Sequence, residues 1–276
     1  MKIDAHQHFW TYNEKEFDWI NEEMKIIKRN FLPQDLEPLL NENKLSGCVA
    51  VQARQSEEEN NFLLNLADEN NFIKAVVGWV DLMDDNIEER LSYWQQQKKL
   101  KGFRHILQGE ANRALMLETN FKNGISLLSR FNFTYDILIF PDQLKYALEL
   151  VQLFPEQKFV IDHLAKPYIK TNEIEDWKND IGKFKSCENV YCKVSGMVTE
   201  ADWNNHLSQT FEPYLYVVAE TFGTKRLMYG SDWPVCLVAA SSYNEVFKIV
   251  EQYFSSFSKD EQENIFGNNA ARFYNL

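Results

Sequence analysis

The chain has 276 residues, of which 45% are hydrophobic and 25% are charged, as in an ordinary globular protein able to bury a core. A formal net charge of −12 leaves no basic stripe to neutralise phosphates, so we expect no nucleic-acid partner. No apolar run approaches the ~20 residues of a membrane span, and His6 and His8 stand where a signal peptide would have its apolar segment, so we expect neither.

Short β-branched runs alternate with longer helical patterns along the chain, which is typical of βα units and a parallel sheet. The predicted strands are Lys2–His8, Cys48–Ala53, Ile73–Val80, Gly102–Leu107, Phe133–Ile139, Phe159–His163, Val190–Val194 and Arg226–Tyr229. The predicted helices are Gln34–Asn43, Glu57–Asn70, Asn86–Lys98, Asn120–Arg130, Asp142–Phe154, Glu173–Lys185, Asn205–Phe222 and Tyr243–Phe254, with one extra C-terminal helix over Lys259–Phe273.

Eight βα units in about 250 residues are what a (β/α)8 TIM barrel requires. No linker or low-complexity tract divides the chain, so we predict a single α/β domain over residues 1–276. An open doubly wound sheet is the alternative, but no glycine-rich phosphate loop follows the first strand. We therefore predict the barrel.

The cysteines show no CxxC pairing, and Cys48 and Cys192 lie inside apolar strand-like runs. Buried free thiols are the simplest interpretation. We expect a reduced, cytoplasmic protein.

The first predicted strand carries His6 and His8 two residues apart. Side chains alternate between the faces of a strand, so both imidazoles point the same way. Two imidazoles so placed form half of a divalent-metal site.

Two more candidate ligands follow later strands, where barrel enzymes keep their chemistry. His163 ends the sixth strand, and its alternative interpretation is a core histidine bonded to a backbone carbonyl. Asp232 follows the eighth strand, which neighbours the first in a closed barrel, and its alternative is a loop aspartate that caps a helix. A carboxylate beside His6 and His8 can bind a metal or take a proton from water.

The fourth strand ends in Arg104 and His105, which alternation places on opposite faces. We favour His105 as the inward, catalytic residue and keep Arg104 as a substrate contact, since its guanidinium suits carbonyl or hydroxyl oxygens. A salt bridge to an acidic loop is the alternative for Arg104.

Four further residues complete the predicted substrate-binding set. Asp136 is unusual inside a strand and needs a partner, so it is also a candidate to hold a histidine or Arg104 in place. Lys166, Ser195 and Trp233 lie near strand ends and are candidates to contact substrate oxygens or form an aromatic wall. The alternatives are a solvated loop lysine, a serine that makes a turn and a tryptophan packed in the core. No G-x-S-x-G motif occurs and no cysteine has an obvious histidine partner, which favours water as the nucleophile.

As a set, these motifs resemble the amidohydrolase superfamily, and within it the TIM-barrel branch that includes sugar-acid lactonases such as L-fuconolactonase and L-rhamnonolactonase. The resemblance runs from residue 1 to the end of the chain. Its matching segments are Ile3–Trp10, Gly102–His105, Ile161–Pro167, Tyr191–Gly196, Tyr229–Pro234 and Ile265–Tyr274.

The resemblance implies that His6, His8, His163 and Asp232 form a metal site. Two-metal members of the superfamily carry a bridging modified lysine at the end of the fourth strand, where this chain reads Phe103-Arg104-His105. The resemblance therefore implies at most one divalent ion, zinc or manganese, weakly held or dispensable.

The predicted reaction is hydrolysis of a sugar-acid lactone by water, with Asp232 as general base and His163 and His105 as further catalytic groups. Arg104, His105 or the ion would stabilise the oxyanion. The main alternative is a decarboxylase or hydratase acting on an unsaturated dicarboxylic acid, and a barrel that only binds a sugar acid is a third. We expect a small-molecule substrate as partner and a monomer or homodimer.

Overall fold

The fold is taken from a computed structural model that describes residues 1–206 and 209–276. Eight strands form one parallel sheet in the order in which they occur in the chain. They are β1 (Ile3–Gln7), β2 (Gly47–Val51), β3 (Ile73–Gly78), β4 (Leu100–His105), β5 (Thr134–Ile137), β6 (Phe159–Ile161), β7 (Val190–Val194) and β8 (Leu227–Tyr229).

A helix follows each strand on the outside of the sheet, and two short helices end the chain. The helices are α1 (Pro33–Glu42), α2 (Glu57–Glu69), α3 (Ile87–Trp94), α4 (Thr119–Leu128), α5 (Leu144–Leu153), α6 (Glu175–Gly182), α7 (Glu212–Phe222), α8 (Tyr243–Phe254), α9 (Lys259–Glu263) and α10 (Asn269–Tyr274). The predicted (β/α)8 barrel is confirmed.

The sheet closes into a barrel because the segment after β8 pairs with β1. The amide of His8 donates to the carbonyl of Trp233 at 2.7 Å, and the amide of Asp232 donates to the carbonyl of His6 at 2.8 Å. The buried Asp4 carboxylate accepts the amide of Ser231 at 2.9 Å, and burial raises the pKa of Asp4 to about 6. The seam thus holds the first and last strands together at their carboxyl ends.

The barrel interior is filled mainly by small and branched apolar side chains, as the narrow lumen of an eight-stranded barrel requires. Helix α10 covers the amino ends of the strands, with Phe273 and Tyr274 buried against the interior. The strand residues of this inner layer include Ile3, Ala5, Val49, Val51, Ala75, Val77, Val160 and Met228.

The C-terminal helix predicted over Lys259–Phe273 is wrong as one element, because a π-helical turn over Asn264–Asn268 separates α9 from α10. Gly267 in that turn lies against the first residue, and a Cβ there would meet the Met1 carbonyl oxygen at 1.7 Å. The two ends of the chain therefore meet where the helix is interrupted.

The helix predicted over Asn205–Phe222 begins only at Glu212, where Pro213 occupies the first turn. Residues 207 and 208 of that prediction lie outside the described residues. Among the helices that are described, none combines the length and apolar character needed to span a bilayer. All four cysteines are buried and free.

Candidate active site

The imidazoles of His6 in β1 and of His8 directly after it lie beside an irregularity in the strand pairing between Asp4 and Gln7. Gln7 points away from the interior and donates to the Cys48 sulfur at 3.3 Å. His6 and His8 instead point into the mouth of the barrel, with their Nε2 atoms 3.2 Å apart. The backbone of this segment thus places the two Nε2 atoms next to each other.

His163 reaches the same point from a left-handed turn that follows β6. All four residues from His163 to Lys166 have φ between 51° and 58°, a conformation that costs roughly 1–2 kcal/mol per non-glycine residue. The turn is held by burial of Leu164 and Ala165 and by a 2.7 Å hydrogen bond from the Trp177 indole to the Leu164 carbonyl. It turns both His163 and Lys166 toward the opening.

Asp232 lies across the seam from the β1 imidazoles. Its Oδ1 is 3.3 Å from His8 Nε2 and 3.9 Å from the Nε2 atoms of both His6 and His163. Burial alone would raise the pKa of Asp232, but His163, His8 and Lys166 outweigh it and leave the pKa below its ordinary value. The carboxylate is therefore ionised at neutral pH.

The imidazoles are suited to act as neutral ligands. Burial lowers the pKa values of His6 and His163 well below the usual range. His8 Nδ1 is 2.7 Å from the Val51 carbonyl oxygen, which can only accept, so Nδ1 is the donor and Nε2 is the nitrogen left to face a metal.

Ser195 orients His163, since its hydroxyl is 2.9 Å from His163 Nδ1 and its side chain is buried. The prediction that Ser195 contacts substrate is not supported by this position. Gly196 follows with φ of 66°, and a Cβ there would lie 2.6 Å from His163 Nδ1. Only glycine lets the imidazole pack this closely on the backbone.

These side chains fit a divalent metal ion. Ligand atoms of His6, His8 and Asp232 all lie within 4.8 Å of one another, and His6, Asp162 and His163 form a second such group. Neutral imidazoles with one carboxylate are the donor set of zinc and neighbouring first-row metals. We favour the group of His6, His8 and Asp232, with His163 beside it. Asp162 is less suited as a ligand because it is already paired with Arg104 and Lys193.

The prediction that His105 faces the interior is wrong, and Arg104 does so instead. Arg104 Nη1 is 3.0 Å from Asp162 Oδ2 and 3.3 Å from His6 Nε2. His105 Nε2 is 2.7 Å from Glu110, and its ring lies against Phe121 of α4. The register of β4 points the side chain of His105 toward the surrounding helices, so His105 does not occupy its predicted catalytic position.

Sequence reasoning missed Lys193, which lies at the centre of the buried charges. Its Nζ is 3.0 Å from Asp162 Oδ1 and 3.1 Å from His6 Nδ1, and it also pairs with Asp136. Burial opposes ionisation of Asp162, but Lys193, His6 and Arg104 hold its pKa well below the usual range. A lysine inside the apolar run of β7 was the available signal.

Asp136 does not bind substrate as predicted, because it is fully buried beneath the floor of the site. Its carboxylate pairs with Lys193 and accepts from the Tyr274 hydroxyl. The alternative considered for Asp136, that it holds a histidine in place, is consistent with this position, since Lys193 contacts His6.

A cavity of about 550 Å³ opens above these residues at the carboxyl ends of the strands. His8, His163 and Asp232 lie at its base, with Arg104 and Lys166 beside them. Lys166 Nζ pairs with Glu200 at 3.2 Å. The rim includes Lys15, Glu16, Asp18, Trp19, Arg54, Gln55, Ile106, Gln108, Leu138 and Val235.

Trp233 is absent from the cavity wall, contrary to the prediction that it binds substrate. Its side chain is buried in the core, with ring centroids 5.2 Å from Phe31 and 6.3 Å from Phe9. Arg54, which was not predicted, lines the cavity instead and is held by a 2.7 Å bond from Nε to Glu59.

A protein-family model described as amidohydrolase matches residues 3–276. Two L-fucono-1,5-lactonases are similar to the chain, at 39% identity for that of Burkholderia multivorans and 34% for that of Burkholderia ambifaria, each covering 100% of this chain and 96% of the relative. A crystal structure of an amidohydrolase from Burkholderia multivorans with bound Zn has a TM-score of 0.96 at 39% identity, covering 100% of this chain and 99% of that chain. The likeness in sequence and fold extends along the whole chain.

Proposed function

This chain belongs to the amidohydrolase family, and we propose that it hydrolyses a sugar-acid lactone of the L-fucono- or L-rhamnono-lactone type. The observation that carries the proposal is the ionised Asp232 carboxylate at the base of the cavity, surrounded by imidazoles. The full-length similarity to two L-fucono-1,5-lactonases supports the choice of substrate.

Asp232 acts as general base toward a water molecule that attacks the lactone carbonyl. The carboxylate is held by His8 and faces the cavity, so it is placed to accept the proton as the carbon–oxygen bond forms. After collapse of the tetrahedral intermediate, the same group returns the proton to the ring alkoxide. A lactone releases an alkoxide, a better leaving group than an amide nitrogen.

The cations at the base of the cavity stabilise negative charge on the carbonyl oxygen. Arg104 is fixed by Asp162 and by the Gln52 carbonyl, so its guanidinium is preorganised. Lys166 also lines the cavity, where it pairs with Glu200, and offers a second positive charge. Both also suit the hydroxyl groups of a sugar acid.

A divalent ion, zinc or manganese, would be held by His6, His8 and Asp232 with His163 beside them. When bound, it supplies Lewis-acid charge that polarises a carbonyl and acidifies water. The donor set supports this proposal, and the Zn-containing neighbour agrees with it.

The proposed partner is the small-molecule substrate, and the proposed location is the cytoplasm. Four buried cysteines without disulfides support a reducing compartment. A monomer or homodimer stays a prediction.

The test is acid release from L-fucono-, L-rhamnono-, L-galactono- and D-sugar lactones, measured with a pH indicator. The protein is assayed as purified, after chelator treatment, and with added zinc or manganese. We expect one lactone class to be hydrolysed, with Asp232→Asn lowering kcat by roughly 10³-fold or more and leaving the thermal unfolding transition in place.

Asp142→Asn is the matched control, because Asp142 is half exposed and pairs with Arg113 rather than with the active-site groups. It should keep wild-type activity. Near-normal turnover by Asp232→Asn would contradict the assignment of the base. Silence on every lactone from folded, metal-supplemented protein would overturn the lactonase and favour the decarboxylase or hydratase.

A further inference from the structure

A column of buried polar side chains runs down the barrel from the active site to the C-terminal helix. The Tyr274 hydroxyl donates to Asp136, lying 2.9 and 3.1 Å from its two carboxylate oxygens. Asp136 pairs with Lys193, whose Nζ is 3.1 Å from His6 Nδ1. All four side chains are essentially inaccessible to solvent.

The column, together with the neighbouring Arg104 and Asp162, interrupts an interior layer of apolar side chains. Burying charges costs several kcal/mol per ion, and buried ion pairs can often be replaced by apolar residues without loss of stability. Here Lys193 and Arg104 balance Asp136 and Asp162, which keeps the cluster neutral. Stability alone therefore does not explain why these charged side chains are buried. Their contact with His6 gives a functional reason for the cluster.

At the upper end of the column, one nitrogen of His6 lies between a lysine and a carboxylate. Lys193 Nζ, which can only donate, lies 3.1 Å from Nδ1, and Asp162 Oδ1, which can only accept, lies 3.3 Å from the same atom. The direction of the ring, and hence of Nε2 at the base of the cavity, therefore depends on where Lys193 is held. Asp136 fixes Lys193 from below, and Tyr274 fixes Asp136.

We propose that Tyr274, acting through Asp136 and Lys193, is a positioning residue that orients the His6 imidazole in the active site. Helix α10 thereby links the C-terminal end of the chain to the chemistry at the opposite end of the barrel. The kinetic part of this inference rests on the proposed lactonase function, while its structural part does not.

The kinetic test is Tyr274→Phe, which keeps the ring and removes the hydroxyl. Loss of a supporting contact to a ligand or catalytic side chain typically costs 10–100-fold, and here the contact is two residues removed. We therefore expect kcat to fall roughly 10-fold with KM within about twofold.

A double mutant tests whether Tyr274 acts only through Asp136. If it does, Asp136→Asn/Tyr274→Phe has the same kcat as Asp136→Asn alone, because residues in one network are not additive. Independent, multiplicative losses would overturn the proposal. Arg272→Met is the matched control: Arg272 lies in the same helix and its guanidinium donates to Asn269 rather than to the column, so its kcat should be unchanged even if stability falls.

The structural test is ¹⁵N NMR of histidine-labelled, metal-free protein, since the chain has five histidines. Resonances are assigned with single His→Gln variants. We expect Tyr274→Phe to shift the His6 ring signals while His105 and His206, which pair with Glu110 and Glu245, stay in place.

Unchanged His6 signals in Tyr274→Phe would overturn the inference, whatever the effect on thermal stability. If the wild type opens no lactone, the proposed function fails, and the NMR result alone decides the positioning role. The two failures are therefore distinguishable.

Discussion

At the scale of single residues, unusual backbone conformation is concentrated at the active site. Nine non-glycine residues in the described part of the chain have positive φ, and five of them are Asp232 and the run from His163 to Lys166. Such conformations persist where surrounding structure holds them, and they cluster at functional sites. The strain here places His163, Lys166 and Asp232 at one opening.

Gly196 makes the position of His163 possible, so Gly196→Ala should lower kcat/KM by roughly 100-fold. The new Cβ would lie 2.6 Å from His163 Nδ1 and force the imidazole away from Ser195. Steady-state kinetics on the lactone substrate measure the effect.

Gly223→Ala is the matched control, because Gly223 has a similar φ of 62° but no atom near its Cβ position. Both variants should lose about 1–2 kcal/mol of unfolding free energy from the backbone conformation, and only Gly196→Ala should lose activity. Equal activities in the two variants would show that the close approach to His163 has no catalytic importance.

At the scale of elements, Arg226 joins α7, β7 and the turn after α6 just before β8 begins. Its guanidinium donates to the carbonyls of Cys187 at 2.7 Å, Val190 at 2.9 Å, Lys185 at 3.1 Å and Thr221 at 3.1 Å. These carbonyls lie at or near the ends of elements, where backbone donors are scarce, and that of Cys187 also accepts the amide of Val190 at 3.1 Å. One side chain thus supplies the caps of three segments.

Arg226→Met should lower the unfolding free energy by about 3 kcal/mol, because methionine keeps much of the volume but donates to no carbonyl. Urea denaturation followed by circular dichroism measures the change. Arg130→Met is the control: Arg130 pairs with Glu88 on the surface, both side chains being about 60% exposed, and such pairs contribute at most ~1 kcal/mol. Similar losses in the two variants would contradict the capping role of Arg226.

At the scale of the whole molecule, the proposed metal site spans the seam that closes the barrel. His6 belongs to β1 and His8 directly follows it, whereas Asp232 follows β8, and backbone bonds already join these segments. An ion bound to both sides would act as a further closure of the barrel. Ligand binding to the folded state alone raises its stability.

Zinc should therefore raise the melting temperature of the wild type, by roughly 5–10 °C at 100 times the dissociation constant, and a chelator should reverse the rise. Differential scanning calorimetry measures the shift. The control is His8→Gln, which removes one ligand and should abolish most of it. An equal shift in wild type and His8→Gln would place the bound zinc elsewhere.

Much of the fold, and the grouping of the main candidate site residues, could be predicted from the sequence. The alternation of apolar strands with helical segments predicts a parallel sheet, because each parallel strand needs a crossover of about one helix to reach the next. Eight such units without a glycine-rich loop after the first strand then favour the barrel. Barrel topology then brings the carboxyl ends of all strands together, so His6, His8, His163 and Asp232 could be grouped without coordinates. The family and the lactone-hydrolase expectation were reached from the same motifs.

Only the tertiary structure showed in which direction individual side chains point and which buried charges pair with one another. A shift of one residue in a strand reverses every side chain, so the choice between Arg104 and His105 required the register of β4. Lys193 and Tyr274 are far apart in sequence from His6 and gained a role only when the barrel interior closed around them. Local pattern determines which elements form, but pairing across a core depends on three-dimensional distance, which the linear pattern does not contain.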